Sequence, residues 1–189
     1  MTAGTDAAGS DESELVRLAR GGDLEAFDRL VRTLSPRVFR FLLQFVRNRH
    51  DAEDLTQTTF LRAHAHLDRF DPTRPMINWL LTIARRCALN HFRAARPWRS
   101  LSFADGEQAV ADEQAASPDR AAENRDNSSH LWDRARERLS ERGFEALWLR
   151  FGEDLSVSET ARVMGLSPAH VKILVFRAKH ALRKGVLPL

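Results

Sequence analysis

Apolar residues recur at helical spacing along most of the chain. Ala26, Phe27, Leu30, Val31 and Leu34 follow Asp23 at intervals of three and four, the stripe of an amphipathic helix behind a capping carboxylate. After Pro36, the residues Val38, Phe39, Phe41, Leu42, Leu43, Phe45 and Val46 are apolar on more than one side, which predicts a segment central to a bundle. Asp51 opens the next predicted helix, with Glu53 and Asp54 in its first turn, where the positive end of the helix dipole favours carboxylates. Leu55, Phe60, Leu61 and Leu67 continue it. Pro72 and Pro75 interrupt helix formation and predict a loop over 70–75, followed by a last helix from Met76 to Arg93.

Beyond Pro97 the large apolar residues thin to Trp98, Leu101, Phe103 and Val110, while Ala, Asp, Glu, Gln and Ser dominate. This composition predicts a flexible linker over 97–130, which fully stretched would span on the order of 110 Å. Apolar periodicity returns with Leu131, Trp132 and Leu139, then Phe144, Leu147, Trp148 and Phe151. Ser156 with Glu159 three residues on is a capping box, and Gly165 is placed to close the short helix carrying Ala161, Val163 and Met164. Ser167 and Pro168 supply the cap and first-turn proline of another helix reaching about Lys184. Helix, tight glycine turn and helix predict a helix-turn-helix. In its second helix Val171, Val175, Ala178 and Leu182 form the inward stripe. His170, Lys172, Ile173, Phe176, Arg177 and His180 lie nearer the outer face.

Charge divides the chain at the same places. Residues 1–14 carry four acids and no base, 15–99 sixteen arginines against eight acids, 100–130 two arginines against seven acids, and 131–189 eleven bases against seven acids. Two basic modules separated by an acidic connector suit a polyanionic partner. The expectation is an all-α protein of two small helical domains, 15–96 and 131–189, joined by the acidic linker 97–130 and preceded by a disordered tail, 1–14. The acidic start and the lack of any run near twenty apolar residues predict a cytoplasmic protein that does not insert in a membrane. One cysteine, Cys87, excludes an intramolecular disulfide and a cysteine-based zinc site. Nine glycines without a phosphate-cradling loop, and no nucleophile–base constellation, argue against an enzyme. No catalytic residue, metal or cofactor is expected.

Asp51-Ala-Glu-Asp-Leu-Thr-Gln-Thr-Thr-Phe-Leu-Arg-Ala, Asn78-Trp-Leu-Leu-Thr-Ile-Ala-Arg-Arg-Cys-Ala-Leu-Asn-His-Phe-Arg93 and Leu155-Ser-Val-Ser-Glu-Thr-Ala-Arg-Val-Met-Gly-Leu-Ser-Pro-Ala-His-Val-Lys172 with Phe176-Arg-Ala178 resemble, in that order, a known family. It is the extracytoplasmic-function (group IV) sigma factors of bacterial RNA polymerase. The resemblance implies a non-enzymatic specificity subunit, with a region 2 bundle and a region 4 helix-turn-helix, that docks on core polymerase, recognises two promoter elements and helps open the duplex. It also implies control by an anti-sigma factor.

On that resemblance, Asp51, Glu53, Asp54, Gln57, Phe60 and Leu61 make the core-polymerase surface. Phe70, Asp71, Arg74, Met76, Arg85, Arg86, Asn90 and Arg93 hold the single-stranded minus-ten element, where arginines neutralise phosphates and loop residues form a pocket for an extruded base. Trp79, in a run with Leu80 and Ile83, reads as core rather than as a base-stacking residue. Arg150, Ser158, His170, Lys172, Ile173, Phe176 and Arg177 meet the minus-thirty-five duplex.

The chain departs from the family at several positions. Arg86 stands where many members have Asn, Asn90 where many have Asp, and Ile173-Leu174 where a Ser-Arg pair is common. Ile173-Leu174 implies either a more apolar minus-thirty-five readout or a face turned to a protein. Cys87 and His91 share one helical face, a spacing used by metal sites, but two ligands alone read better as a packed thiol beside an imidazole. Two other classes of function stay open from the residues: a helix-turn-helix repressor or activator acting on closed duplex without polymerase, and an interaction protein that sequesters polymerase.

Overall fold

The computed structural model describes residues 5–95 and 126–184, which belong to two units of the chain on either side of Ser100–Leu101. All regular elements among the described residues are helical. Of the expected linker, 97–125 lies outside the described residues, and 126–130 already belong to a helix.

The first unit starts with α1, Thr5–Arg20, so the segment expected to be a disordered tail, 1–14, is helical from Thr5. The reason lies just beyond that segment: Leu15, Val16 and Ala19 bury one face against the next helix, and Glu14 pairs with Arg17 one turn on. Gly21 and Gly22 turn the chain into α2, Leu24–Val46, whose cap is Asp23, its carboxylate accepting from the backbone N–H groups of Glu25 and Ala26. Ala26, Leu30, Leu34, Val38, Phe41 and Leu42 are its buried stripe. Pro36 does not end the helix. An interior proline costs about 3 kcal/mol. Leu34 before it and Val38 after it are both buried, and each such side chain contributes about 1.5–3 kcal/mol, enough to carry the helix through.

The following helix, α3, runs Arg49–Ala65 and is opened by Asn48 rather than by Asp51. The Asn48 side-chain oxygen accepts from the backbone N–H of His50 at 2.9 Å and of Asp51 at 3.3 Å. Asp51 therefore sits inside the first turn, where its charge still meets the helix dipole. Two buried threonines on α3 satisfy their hydroxyls locally, Thr56 donating to the Ala52 carbonyl and Thr59 to that of Leu55. A short 3-10 turn, Leu67–Arg69, and the two-proline loop lead into α4, Met76–Ala95. Met76, Ile77, Leu80, Leu81, Ala84, Cys87 and Ala88 bury the face of α4 that packs on α2 and α3.

The second unit is built on α6, Glu141–Phe151, buried at every position from Gly143 to Leu149 and capped by Ser140. Preceding it, α5, Asp126–Arg138, brings Trp132 edge-on to Trp148, with ring centroids 4.7 Å apart, and to Phe144. The Arg136 guanidinium lies over the Phe144 ring at 3.9 Å. Next comes α7, Val157–Met164, with the expected capping box formed on both sides: the Ser156 N–H donates to the Glu159 carboxylate at 2.7 Å and the Glu159 N–H to the Ser156 hydroxyl at 3.2 Å.

Gly165 closes α7 at φ 67°, its N–H bonding the Arg162 carbonyl and that of Leu166 the Ala161 carbonyl. The last helix, α8, Pro168–Lys184, begins two residues after Leu166, and the Ser167 hydroxyl accepts from the His170 N–H. A Cβ at Gly165 would meet nothing within 4 Å, so the demand there is on backbone conformation alone. Gly165→Val is accordingly expected to lower the stability of this unit by about 1–3 kcal/mol, read as a fall in its thermal midpoint, with Gly165→Asn costing clearly less.

Candidate functional site

Three exposed surfaces gather the residues expected to carry function. The first is the outward face of α3. Glu53, Asp54, Gln57 and Leu61 recur at helical spacing and all are exposed, Leu61 by 73%. Their carboxylates are only loosely engaged, Glu53 with Arg49 at 2.9 Å and Asp54 with His50 at 3.2 Å, each pair open to solvent. Phe60, expected on the same surface, is buried and contributes from below, as part of the floor of an open groove of about 810 Å³ between α2 and α3. Phe27, Val31, Pro36 and Phe39 of α2 form the other side. Asp51 is turned away from this face: its carboxylate lies 3.6 Å from the His91 imidazole of α4, and both are about one-third exposed. The groove is not apparent from the sequence. Its signal there is Phe27, Val31 and Phe39, apolar residues of α2 that fall outside the buried stripe.

The second surface is the loop between the 3-10 turn and α4, with the exposed side of α4. Here the structure corrects the expected pocket. Phe70 and Met76 are core side chains, Met76 wholly buried and Phe70 packed on the half-buried Trp79 with centroids 5.2 Å apart. Two apolar side chains flanking a five-residue loop are worth more as its anchors than exposed to water. What the loop presents is Asp71, Thr73 and Arg74. The Asp71 carboxylate accepts from the Thr73 hydroxyl and N–H, 2.6 and 3.1 Å, and pairs with Arg74 at 3.1 Å. Those partners, Thr73 foremost, hold its carboxyl below the usual range. Arg86, Asn90 and Arg93 form an exposed row along α4, whereas Arg85 is half-buried. Cys87 is buried, its sulfur 3.4 Å from an Arg62 guanidinium nitrogen, and His91 faces Asp51 instead.

Both ends of that loop are held by α1, to which the sequence pattern assigns no role. The Arg20 guanidinium donates to the carbonyls of Leu67 at 3.0 Å, Asp68 at 3.4 Å and Phe70, and the Glu12 carboxylate accepts from the Met76 N–H at 2.8 Å. Hydrogen bonds to a charged group contribute about 1.5–3 kcal/mol. Arg20→Ala is therefore expected to destabilise the first unit by about that amount and to speed amide hydrogen exchange over residues 68–76, with the α3 face unaffected. Long-range side-chain-to-carbonyl bonds of this kind leave no local pattern by which sequence could reveal them.

The third surface is α8. Val171 and Ala178 are buried, and Leu174, Val175 and Leu182 half-buried, against the rest of the second unit. Lys172, Ile173, Phe176, Arg177 and His180 are exposed, with Ile173 at 50% and Phe176 at 72%. The Phe176 ring stacks on His180, centroids 6.3 Å apart and planes within 6°. His170 is half-buried at the capped start of the helix. The consecutive pair Ile173-Leu174 is thus divided, the first outward and the second inward. Ser158 is exposed in the first turn of α7, and Arg150 lies half-buried on α6 beside Phe151, whose ring also carries the Lys179 ammonium at 4.3 Å. A capped, acid-free helix with a basic edge has the dimensions and charge for a DNA major groove.

No group of three metal-binding side chains occurs among the described residues, and no helix there is long and apolar enough to cross a membrane.

Comparison with known proteins places both units in one family plan. Residues 30–97 match Sigma-70 region 2 and residues 129–182 match Sigma-70, region 4. The chain is 38% identical over 182 residues to the ECF RNA polymerase sigma factor BldN of Streptomyces coelicolor, covering 94% of this chain and 68% of the relative. It is 32% identical over 186 residues to the RNA polymerase sigma-H factor of Pseudomonas aeruginosa, covering 94% and 95%. Among solved structures, the fold is similar to that of CnrH in complex with the cytosolic domain of CnrY, with a TM-score of 0.66 at 24% identity over 92% of this chain and 96% of that one. It is likewise similar to the sigma factor RpoE in complex with the anti-sigma factor NepR from Bartonella quintana, with a TM-score of 0.60 at 23% identity over 84% and 94%.

Proposed function

Since the chain belongs to the extracytoplasmic-function sigma factors of the sigma-70 family, we propose that it binds core RNA polymerase and directs transcription initiation through the three surfaces just described. The α3 face, Glu53, Asp54, Gln57 and Leu61 above the α2–α3 groove, docks on the polymerase. An acidic rim around an exposed leucine suits a partner that offers cations around an apolar ridge. The loop presenting Asp71, Thr73 and Arg74, with Arg86, Asn90 and Arg93 along α4, takes the opened minus-ten strand. Arginines there neutralise phosphates while the braced loop offers hydrogen-bonding groups to base edges. The edge of α8, with Ser158 and Arg150 beside it, enters the minus-thirty-five major groove.

The protein works by binding alone and brings no chemistry of its own. An anti-sigma factor that covers these surfaces when transcription is not required belongs to the same reading. The single observation that supports the scheme most is α8: a helix without an acidic residue, its start capped by Ser167, with Lys172 and Arg177 both exposed on its outward side.

The test is a titration of the labelled full-length chain with core polymerase, followed by single-stranded oligonucleotide of the minus-ten non-template sequence and by upstream duplex. Saturable binding to polymerase, with strand capture only in that complex, is the expected result. A chain that holds promoter duplex as tightly without polymerase as with it contradicts the proposal and points to a regulator of closed DNA.

A further inference from the structure

We infer that Ile173 is a specificity-determining residue that reads the C5-methyl group of a thymine in the minus-thirty-five element. The inference rests on the proposed placement of α8 in the major groove and says what it recognises there.

Ile173 is half exposed on the outward side of α8, so its side chain is available to a partner there. Around the outward side of α8 it falls between two exposed cations, Lys172 on one flank and Arg177, one turn on, at the other, and α8 contains no acidic residue from Pro168 to Lys184. The edge is therefore complementary to a polyanion, which favours DNA over a protein as the occupant. Position along the helix agrees. Ile173 lies in the second turn from the Ser167 cap, in the N-terminal half of the helix, the part that reaches base edges.

In the major groove, thymine is the one base that presents an apolar group, its C5-methyl, and apolar side chains recognise it by contact. Isoleucine is suited to that contact because its branched Cβ leaves one strongly preferred rotamer in a helix, so little freedom is lost on binding. Leu174, the adjacent residue, is turned inward and half-buried, so of this consecutive pair only Ile173 is offered to a base; the other large apolar side chain of the face is Phe176, three residues on, which stacks on His180.

The experiment uses polymerase holoenzyme containing the full chain, and a promoter duplex taken from a transcription start that this holoenzyme makes. Each thymine of the upstream element is replaced in turn by deoxyuridine, which lacks only the methyl group. One replacement is expected to weaken binding by about fourfold, the equivalent of one buried methyl. Ile173→Ala should weaken binding to the unmodified duplex by a similar factor or more and abolish the difference between thymine and deoxyuridine at that position. Ile173→Val, which keeps the branched Cβ, should retain part of it.

An upstream element without a thymine, a holoenzyme indifferent to every methyl, or a methyl effect that persists in Ile173→Ala would each overturn the inference while leaving α8 on DNA. If scrambling the whole upstream element changes neither binding nor transcription, α8 is not a DNA reader, and the placement itself fails together with the inference. Weaker binding of a protein partner by Ile173→Ala, with all DNA affinities unchanged, would likewise overturn it and assign this edge to a protein.

Discussion

Replacing Asp54 with lysine is expected to weaken binding to core polymerase on the order of a hundredfold without unfolding the protein. Asp54 stands on the outward face of α3 with 62% of its side chain exposed, and its contact with the His50 imidazole at 3.2 Å is open to water on both sides. An exposed pair of this kind contributes about 0–1 kcal/mol to stability, so its loss leaves the thermal midpoint nearly unchanged. At an interface the balance differs, because a lysine there turns an attraction to a basic partner into repulsion from it. Like charges brought together in an interface cost several kcal/mol, and each 1.4 kcal/mol is about a factor of ten in affinity. Titrating fluorescent core polymerase with the variant, alongside a thermal melt, separates the two quantities. Unchanged affinity would remove the α3 face from the docking surface.

The second large effect is expected from removing Lys172 and Arg177 together. Both are exposed on α8, so truncation to alanine leaves Val171 and Ala178, the buried anchors of the helix, untouched. A cation on phosphate contributes about 0.9 to the slope of log affinity against log salt. A bidentate hydrogen-bonded pair with a guanine edge contributes about 1–3 kcal/mol of discrimination. If both side chains neutralise phosphates, the double variant should lower the salt slope by about two and bind all upstream sequences more weakly alike. If both instead bond base edges, it should flatten the preference among sequences. Measuring holoenzyme affinity for upstream duplex across a salt series, on matched and altered elements, distinguishes these. A double variant with unaltered slope and unaltered preference would mean that this edge of α8 does not touch DNA.

How far the fold is legible in the residues differs between the two units, for physical reasons. In the second unit the information is local. Ser156 and Glu159, Gly165, then Ser167 and Pro168 act within a turn of their own positions, and each does in the structure what its spacing suggests. In the first unit the decisive terms are tertiary. Pro36 lies within α2, because buried residues on both sides outweigh its cost. Asp51 reads as a cap, yet Asn48 has the extended backbone and the free oxygen that capping requires. Residues from Thr5 read as a tail by composition and are helical in the structure, because Leu15, Val16 and Ala19 give the helix a surface on which to pack.

The surfaces divide in the same way. Exposed faces of α3 and α8 follow from helical periodicity, and the residues assigned to them lie where the pattern puts them, apart from Asp51, Phe60 and the half-buried His170. The loop before α4 is harder to read, since Phe70 and Met76 could line a pocket or anchor the loop, and only the packing shows that they anchor it. Arg20 and Glu12 escape notice altogether, because their partners are backbone groups 47 to 64 residues away.

The central claim, that this chain gives polymerase its promoter choice, is tested most directly by mapping transcripts that purified core polymerase makes from a pool of genomic fragments, with and without the chain. The expected result is a set of new starts, each preceded by the same two motifs at a fixed separation. No new starts from polymerase that has bound the chain, or new starts with no shared upstream pair, would contradict it.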